Sequence, residues 1–231
     1  MIDIHCHIFH DLDDGPRSRD VSLNMARQQH AAGVTTIIGT PHSPNSSASR
    51  KYSPALIRER AHELQELAAA DGLDVTILPG TEINYHDQIS RHLKSETIIP
   101  LAGSRTVLIE MPVFAVDMRF LPTAVDLIAE GYHVVLAHPE RYIYNQRDLD
   151  DLKRIHETGV LFQITAHAVT EKNSTLLFDH GLVDIVASDA HGDTYRPTQM
   201  GSGYAKVSER YGKEMAERIF VQTQTRLLTH A

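Results

Sequence analysis

The sequence predicts an α/β protein with a parallel sheet, and an irregular β/α barrel is the architecture it favours. Short β-branched apolar runs recur along the chain, and helical patterns separate many of them, as in βαβ units. The 231 residues can bury a sizeable core, and we expect residues 1–231 to form one domain. Seven such runs suggest a small or irregular barrel, while a doubly wound open sheet is the alternative.

The predicted strands and helices alternate through most of the chain. The strands are short and mostly β-branched, as buried strands are, and they cover residues 2–8, 34–40, 75–79, 106–109, 133–137, 160–165 and 183–187. Ser53 and Pro54 supply the N-cap and first residue of one helix, which Gly72 can end. Further helices are expected from Pro122 to Gly131, from Asp148 to Gly159, from about Asp20 to Gly33, and over residues 213–228.

Composition excludes several classes of function. The net charge of -8, from 22 Lys+Arg against 30 Asp+Glu, disfavours a general nucleic-acid binder. No apolar run approaches the roughly 20 residues that span a bilayer, and the acidic, His-rich N-terminus does not resemble a secretory signal. A single cysteine excludes an intrachain disulfide, so we expect a reducing compartment, the cytoplasm. With 15 His and 1 Cys, any metal site would use imidazole and carboxylate.

Candidate metal ligands follow most of the predicted strands. Residues two apart in a strand face the same side, so His5 and His7 point together and Cys6 faces the core. The C-terminal strand ends of a barrel converge on one face, where two or three divalent ions could bind. Each residue alone could be a cap or turn residue, but that interpretation would have to hold independently at six strand ends. The residues gathered there would be His5, His7, His42, Glu82, Glu110, His138, Asp189 and His191, with Asp14 from the first loop.

Other phosphate and nucleophile chemistries lack their motifs. A cysteine-dependent phosphatase needs Arg six positions after its Cys, and Leu12 stands at that distance from Cys6. The sequence also has no Gly-x-x-x-x-Gly-Lys, Gly-x-Gly-x-x-Gly, His-Glu-x-x-His or Gly-x-Ser-x-Gly motif. The remaining candidate chemistry is the cluster of histidines and acids.

These residues resemble the PHP superfamily, named for polymerase and histidinol phosphatase domains. The more specific resemblance is to the bacterial tyrosine-protein phosphatases of capsule and exopolysaccharide operons. It extends from residue 1 to about residue 200 and continues weakly beyond. Its motifs are Met1-Ile2-Asp3-Ile4-His5-Cys6-His7, Asp13-Asp14-Gly15-Pro16, Thr40-Pro41-His42, Glu82, Leu108-Ile109-Glu110, Ala137-His138-Pro139-Glu140-Arg141, Ala187-Ser188-Asp189-Ala190-His191 and Arg196-Pro197.

The resemblance implies a distorted (β/α)7 TIM-like barrel of the PHP type with three divalent metal ions, commonly manganese or iron, with zinc also possible. It implies two phosphate-binding arginines, Arg141 and Arg196. Ser43 and Thr165 depart from the family, which often has His and Asn there, and this bears on substrate choice. The resemblance also implies which residues bind each ion. The ligands of the first ion would be His5, His7, Glu82 and Asp189, and Glu82 would bridge to a second ion that Glu110 and His138 also bind. The ligands of the third ion would be Asp14, His42 and His191.

The implied function is hydrolysis of phosphotyrosine on a protein, with a bacterial tyrosine kinase as partner and no nucleic acid or membrane insertion. Cations would lower the pKa of a bridging water and supply hydroxide for in-line attack on phosphorus. One alternative is a small-molecule phosphomonoesterase such as histidinol phosphatase. Another is a non-catalytic regulator that binds phosphotyrosine without turnover.

Overall fold

The strands of the protein run parallel in two sheets. The computed structural model describes residues 1–112 and 115–229. The first sheet has the order β1-β2-β3 and the second the order β4-β5-β6-β7-β8. The strands are β1 (Ile2–Cys6), β2 (Thr36–Gly39), β3 (Thr76–Pro79), β4 (Glu82–Asn84), β5 (Thr106–Glu110), β6 (His133–Ala137), β7 (Leu161–Thr165) and β8 (Ile185–Ala187).

Backbone contacts at both edges join the two sheets into a barrel. On one side Cys6 of β1 forms a parallel bridge with Ala190, just after β8. On the other side His42, after β2, bridges Glu82 of β4, and the N–H of Ser43 donates to the Glu82 carbonyl at 2.8 Å. The predicted α/β barrel is therefore confirmed. Both contacts between the sheets lie beside predicted metal ligands.

The third predicted strand, 75–79, is followed after a short gap by a further strand that was not predicted. Strand β3 pairs with β2, and after two residues the chain continues as β4, which pairs with β5. Pro79 has no N–H for the ladder, and Gly80 passes so close that a Cβ there would lie 2.8 Å from Leu101 and 2.9 Å from Ile38. The chain thus crosses from one sheet to the other here, and Glu82 stands at the crossing.

Nine helices are described in residues 1–112 and 115–229, and several boundaries differ from the prediction. The N-cap of α5 is Asn145, and the expected cap Asp148 is instead its third residue, accepting the Asn145 N–H at 2.9 Å in a capping box. The nine described helices are α1 (Arg19–Ala31), α2 (Pro54–Ala70), α3 (Ile89–Lys94), α4 (Phe120–Ala129), α5 (Gln146–His156), α6 (Lys172–Asp179), α7 (Met200–Tyr211), α8 (Lys213–Glu217) and α9 (Thr223–Thr229).

Other boundary differences have local causes. Helix α4 begins at Phe120, two residues before the expected Pro122, which lies in its first turn, where proline is tolerated. The predicted helix 213–228 contains a π-helical segment, Arg218–Gln222, between α8 and α9. Among the described residues, none of the helices is both long and apolar enough to cross a membrane.

A bulge in β1 decides which residues face the barrel interior. The pairing with β2 shifts register between Asp3 and Cys6. Asp3 accepts a hydrogen bond from Gln29 of α1, and Cys6 lies 3.6 Å from the same amide, so both face the helix layer. His5 instead points to the interior, above a small apolar cluster that forms the barrel floor. That cluster includes Ile4, Ile38, Leu108, Val135 and Ile185.

Candidate metal centre

The predicted ligands come together at one end of the barrel, and most of them lie at or after the C-terminal end of a strand. His5 is in β1, Glu82 opens β4 and Glu110 closes β5. The others lie in the segments that follow a strand, where a β/α barrel places functional side chains. These are His7 and Asp14 after β1, His42 after β2, His138 after β6, and Asp189 and His191 after β8.

The Glu82 carboxylate lies at the middle of this cluster and is almost completely buried. Its Oε1 is 3.2 Å from Nε2 of His5 and 3.0 Å from Nε2 of His138. Its Oε2 is 3.1 Å from Nε2 of His7 and 3.0 Å from Nδ1 of His42. Burial favours the neutral acid, but the charges of His5 and His42 outweigh it and hold the pKa of Glu82 well below its usual range.

Four groups of side chains in the described part of the chain could each hold a cation. In each group the candidate ligand atoms lie within 4.8 Å of one another. Because the groups share residues, they form one continuous cluster. They are His7, Asp14, His42 and His191; His5, Glu82 and His138; His5, His7 and Asp189; and His42, Glu82 and Glu110.

The sharing of ligands differs in detail from what the resemblance implies. The resemblance groups His138 with Glu82 and Glu110, and the structure places its Nε2 3.0 Å from Glu82 but 3.8 Å from Glu110. His42, expected with Asp14 and His191, also approaches Glu110, with Nδ1 at 3.1 Å from Oε1. The cluster therefore offers more than one way to divide the same donors among cations.

Three buried atoms of the cluster have no hydrogen-bond partner among the described residues, so they remain available to bind a cation. They are Nδ1 of His42, Oε2 of Glu82 and Nε2 of His191. The first two are 3.0 Å apart, but their geometry does not make a hydrogen bond. A buried polar atom left unpaired costs about 1–3 kcal/mol, so such atoms call for a ligand. Imidazole and carboxylate donors suit manganese, iron or zinc.

The pKa of His42 indicates that positive charge is favoured at this point. Burial lowers the pKa of His42, but the nearby carboxylates of Glu82 and Glu110 raise it to about 12. A proton on His42 thus offsets the two carboxylates in the absence of another cation. A divalent ion among the same groups would offset the negative charge of these carboxylates in the same way.

Four histidines have the second ring nitrogen engaged, which turns Nε2 toward the cluster. Sequence reasoning missed the partners Gln163 and Tyr142. Gln163 shows only as an interior position of β7, and Tyr142 has no local signal. The pairs are His5 Nδ1 with Gln163 Oε1 at 2.8 Å, His7 Nδ1 with Asp13 Oδ2 at 2.6 Å, His191 Nδ1 with the Asp189 carbonyl at 3.0 Å, and His138 Nδ1 with Tyr142 Oη at 3.3 Å.

Both predicted arginines contact the same oxygen of Asp189. Nη2 of Arg196 is 2.6 Å from Oδ2 of Asp189, and Nη2 of Arg141 also donates to it. The other oxygen, Oδ1, faces the histidines and lies 3.4 Å from Nε2 of His5. Burial would raise the pKa of Asp189, but the charges of His5 and Arg141 hold it far below its usual range. Asp189 therefore connects the histidine cluster to the arginine pair.

Three residues of this site have strained backbone conformations. His138, Asp189 and Arg196 have φ values of 38°, 50° and 49°, in the left-handed region that non-glycine residues rarely adopt. Such conformations cost roughly 1–3 kcal/mol each and persist where the surrounding structure enforces them. The strain aims these three side chains into one cavity of about 240 Å³, which is also lined by His42, Glu82, Glu110, His191, Arg141 and the Ser46–Ala48 loop.

Comparisons with known proteins identify relatives of this chain. The family model for capsular polysaccharide synthesis, CpsB/CapC, matches residues 1–229. The tyrosine-protein phosphatase YwqE of Bacillus subtilis is 32% identical over 222 residues, covering 93% of this chain and 87% of that protein. The tyrosine-protein phosphatase CpsB of Streptococcus pneumoniae is 28% identical over 240 residues, covering 99% of this chain and 98% of that protein.

A solved structure has nearly the same fold. It comes from crystallographic work on YwqE from Bacillus subtilis and CpsB from Streptococcus pneumoniae, described as unique metal-dependent tyrosine phosphatases. The TM-score is 0.92 at 29% sequence identity, and the match covers 100% of this chain and 96% of the other.

Proposed function

The chain belongs to the CpsB/CapC family of capsular polysaccharide synthesis, and we propose that it is a metal-dependent phosphatase that hydrolyses phosphotyrosine on proteins. The observation that carries this proposal is the buried His and carboxylate cluster, with its unpartnered atoms, next to an arginine pair. A phosphate ester bound between them would meet positive charge on both sides. The relatives named as tyrosine-protein phosphatases support the same substrate class.

We further propose that the cluster holds three divalent ions, manganese being the first candidate and iron or zinc the others. In this assignment His5, His7, Glu82 and Asp189 serve the first ion. Glu82 would also serve a second ion, with Glu110 and His138. Asp14, His42 and His191 would serve the third. The four groups of donor atoms within 4.8 Å contain all nine of these residues, which supports the ligand set, although the groups divide the residues differently.

The cations, when bound, supply a hydroxide nucleophile near neutral pH and offset charge on the phosphoryl oxygens. The chain's own residues orient the ester. Each guanidinium fork of Arg141 and Arg196 can donate two parallel hydrogen bonds to phosphate. Because Asp189 holds both forks, they are in place before the substrate arrives, and little conformational entropy is lost on binding. The leaving phenolate has a free pKa near 10, so it makes little demand on a general acid.

We propose a bacterial tyrosine kinase of capsule or exopolysaccharide synthesis as the protein substrate, on the strength of the family. We also propose a cytoplasmic location, because a chain with a single cysteine cannot form the intrachain disulfides that are typical of oxidising compartments.

The proposal is tested by phosphatase assays on purified protein. A phosphotyrosyl peptide should be hydrolysed with added manganese, and a chelator should abolish the activity. His5→Ala should abolish it as well, whereas His62→Ala, on an exposed side chain, should leave it unchanged. Full turnover in the chelated protein or in His5→Ala would refute the assignment.

The two alternatives predict different results in the same assays. A small-molecule phosphatase such as a histidinol phosphatase would show a higher kcat/KM on histidinol phosphate than on the phosphotyrosyl peptide. A non-catalytic regulator would bind the peptide in the presence of manganese and release no phosphate.

A further inference from the structure

Asp13 is the buried member of the Asp13-Asp14 pair, and the catalytic proposal assigns it no role. Its side chain is completely buried, whereas the neighbouring Asp14 side chain is 48% exposed. Oδ2 of Asp13 lies 2.6 Å from Nδ1 of His7 and accepts the His42 N–H at 2.9 Å. Oδ1 accepts the Gly15 N–H at 2.9 Å. One carboxylate thus connects three segments of the chain.

Each of these contacts acts on a different candidate ligand. The bond to Nδ1 fixes the His7 ring so that Nε2 faces the cluster. The bond to the His42 N–H holds the segment after β2. The bond to Gly15 closes the turn that contains Asp14, whose half-exposed carboxylate lies 3.4 Å from Nε2 of His191. His7, Asp14 and His42 belong, with His191, to one group of donors.

The turn around Asp13 has no room to adjust. A Cβ at Gly15 would lie 2.6 Å from the His7 carbonyl oxygen and 2.9 Å from Oδ1 of Asp13. Glycine at this position lets the turn pack directly on β1 and on the Asp13 carboxylate. Displacement of the Asp13 carboxylate would therefore move the turn and Asp14 with it.

Asp13 also differs chemically from the other partners of the histidine rings. His5 is held by the neutral Gln163 amide, His191 by a backbone carbonyl and His138 by a hydroxyl. Among the described residues, His7 is the histidine of the cluster whose Nδ1 meets a carboxylate outside the ligand set. A carboxylate partner makes an imidazole a stronger donor as well as fixing its orientation.

We propose that Asp13 is a positioning residue for the cation served by Asp14, His42 and His191, and that it also orients His7, which the proposed assignment gives to the first ion. Asp13 contacts neither cation; it sets three ligands through one carboxylate. This inference rests on the part of the proposed function that places cations in the cluster, and it is independent of which phosphate ester is hydrolysed.

The test compares Asp13→Asn with Asp11→Asn. Both remove one negative charge from the same loop, but Asp11 is half-exposed and pairs with Arg50 at the surface. Manganese binding is measured by titration calorimetry of protein stripped of metal, and bound metal is counted by elemental analysis after dialysis. Outer partners of metal ligands are typically worth 10–100-fold in metal affinity.

We expect Asp13→Asn to weaken manganese binding most at the site of Asp14 and His42, by about 10–100-fold, to weaken the site of His7 less, and to leave the site of Glu110 and His138 unchanged. Saturating manganese should restore kcat, because the loss is in cation binding. Asp11→Asn should bind manganese as the wild type does. If Asp13→Asn does not fold, as judged by circular dichroism, Asp13→Glu keeps the charge but displaces the carboxylate, and the same selective loss is expected.

Wild-type affinity at every site in Asp13→Asn would overturn the proposal. Equal weakening of every class of sites would also overturn it, since that is the effect of a general structural role. Failure of the proposed function gives a different result: the wild type itself binds no manganese. A wild type that binds manganese but hydrolyses no phosphotyrosine leaves the role of Asp13 standing.

Discussion

Replacement of Arg196 by alanine should lower kcat/KM on a phosphotyrosyl peptide about 10- to 150-fold. A hydrogen bond to a charged group contributes about 1.5–3 kcal/mol, and each 1.4 kcal/mol is a factor of ten. Arg196 is partly exposed at the cavity and already fixed on Asp189, so its loss removes contacts to the phosphoryl group without leaving a large void. Arg141→Ala should fall in the same range.

The two arginines should not act independently, because they share Oδ2 of Asp189. When one is removed, the other becomes the sole guanidinium partner of that oxygen and is drawn away from phosphate. The double variant Arg141→Ala/Arg196→Ala should therefore lose less than the product of the two single losses. Strict multiplicativity would contradict the shared anchor.

The assay is steady-state hydrolysis of the peptide at saturating manganese, with metal content measured for each variant. Arg210→Ala is the control, because Arg210 lies on α7 and contacts Thr175 at the surface. It should match the wild type. The assignment of the arginines to phosphate binding is refuted if Arg196→Ala and Arg141→Ala both retain wild-type kcat/KM.

Three further predictions concern the cations and the barrel. Chelation should lower Tm by about 5–10 °C per cation lost. A ligand at 100 times its Kd stabilises the folded protein by about 2.7 kcal/mol, and each kcal/mol shifts Tm by about 2–4 °C. An unchanged melting curve in differential scanning fluorimetry would contradict this prediction. Glu82→Gln should carry fewer manganese ions per chain than the wild type by elemental analysis, because four histidines surround this carboxylate; an unchanged count would contradict its central position. Gly39→Ala should destabilise by about 1–3 kcal/mol in urea unfolding, because its Cβ would lie 2.2 Å from the Phe9 ring; wild-type stability would show that the ring can move freely.

The candidate ligands could be predicted because they follow strand ends, and strand ends are visible in the sequence. A parallel barrel brings those ends together whatever the details of pairing. His42, Glu82 and Glu110, for example, follow or end different predicted strands, and Nδ1 of His42 lies about 3 Å from both carboxylates. The prediction needed only the order of elements and the type of residue at each end.

Features that depend on register were less predictable. Strict alternation from residue 2 to residue 8 would put Asp3 on the same face as His5, but the bulge in β1 turns Asp3 toward α1. The break between Pro79 and Glu82 depends on close contacts of Gly80 with Leu101, distant in sequence. Neither feature has a local pattern that distinguishes it from a continuous strand.

The partners of the histidine rings were missed for a related reason. Gln163 reaches His5 across 158 positions of the chain, and its side chain alone does not indicate that contact. Asp13 is close to His7 in sequence, but the two adjacent aspartates look alike until burial separates them. Composition and spacing therefore predict which donors gather, while packing decides what orients them.

The central claim, that distant histidines and acids hold divalent cations, is tested most directly by elemental analysis of the wild-type protein purified without chelator. We predict about three divalent ions per chain, with manganese, iron or zinc accounting for them. Protein that is folded and carries no stoichiometric transition metal, even after dialysis against manganese, would contradict the account.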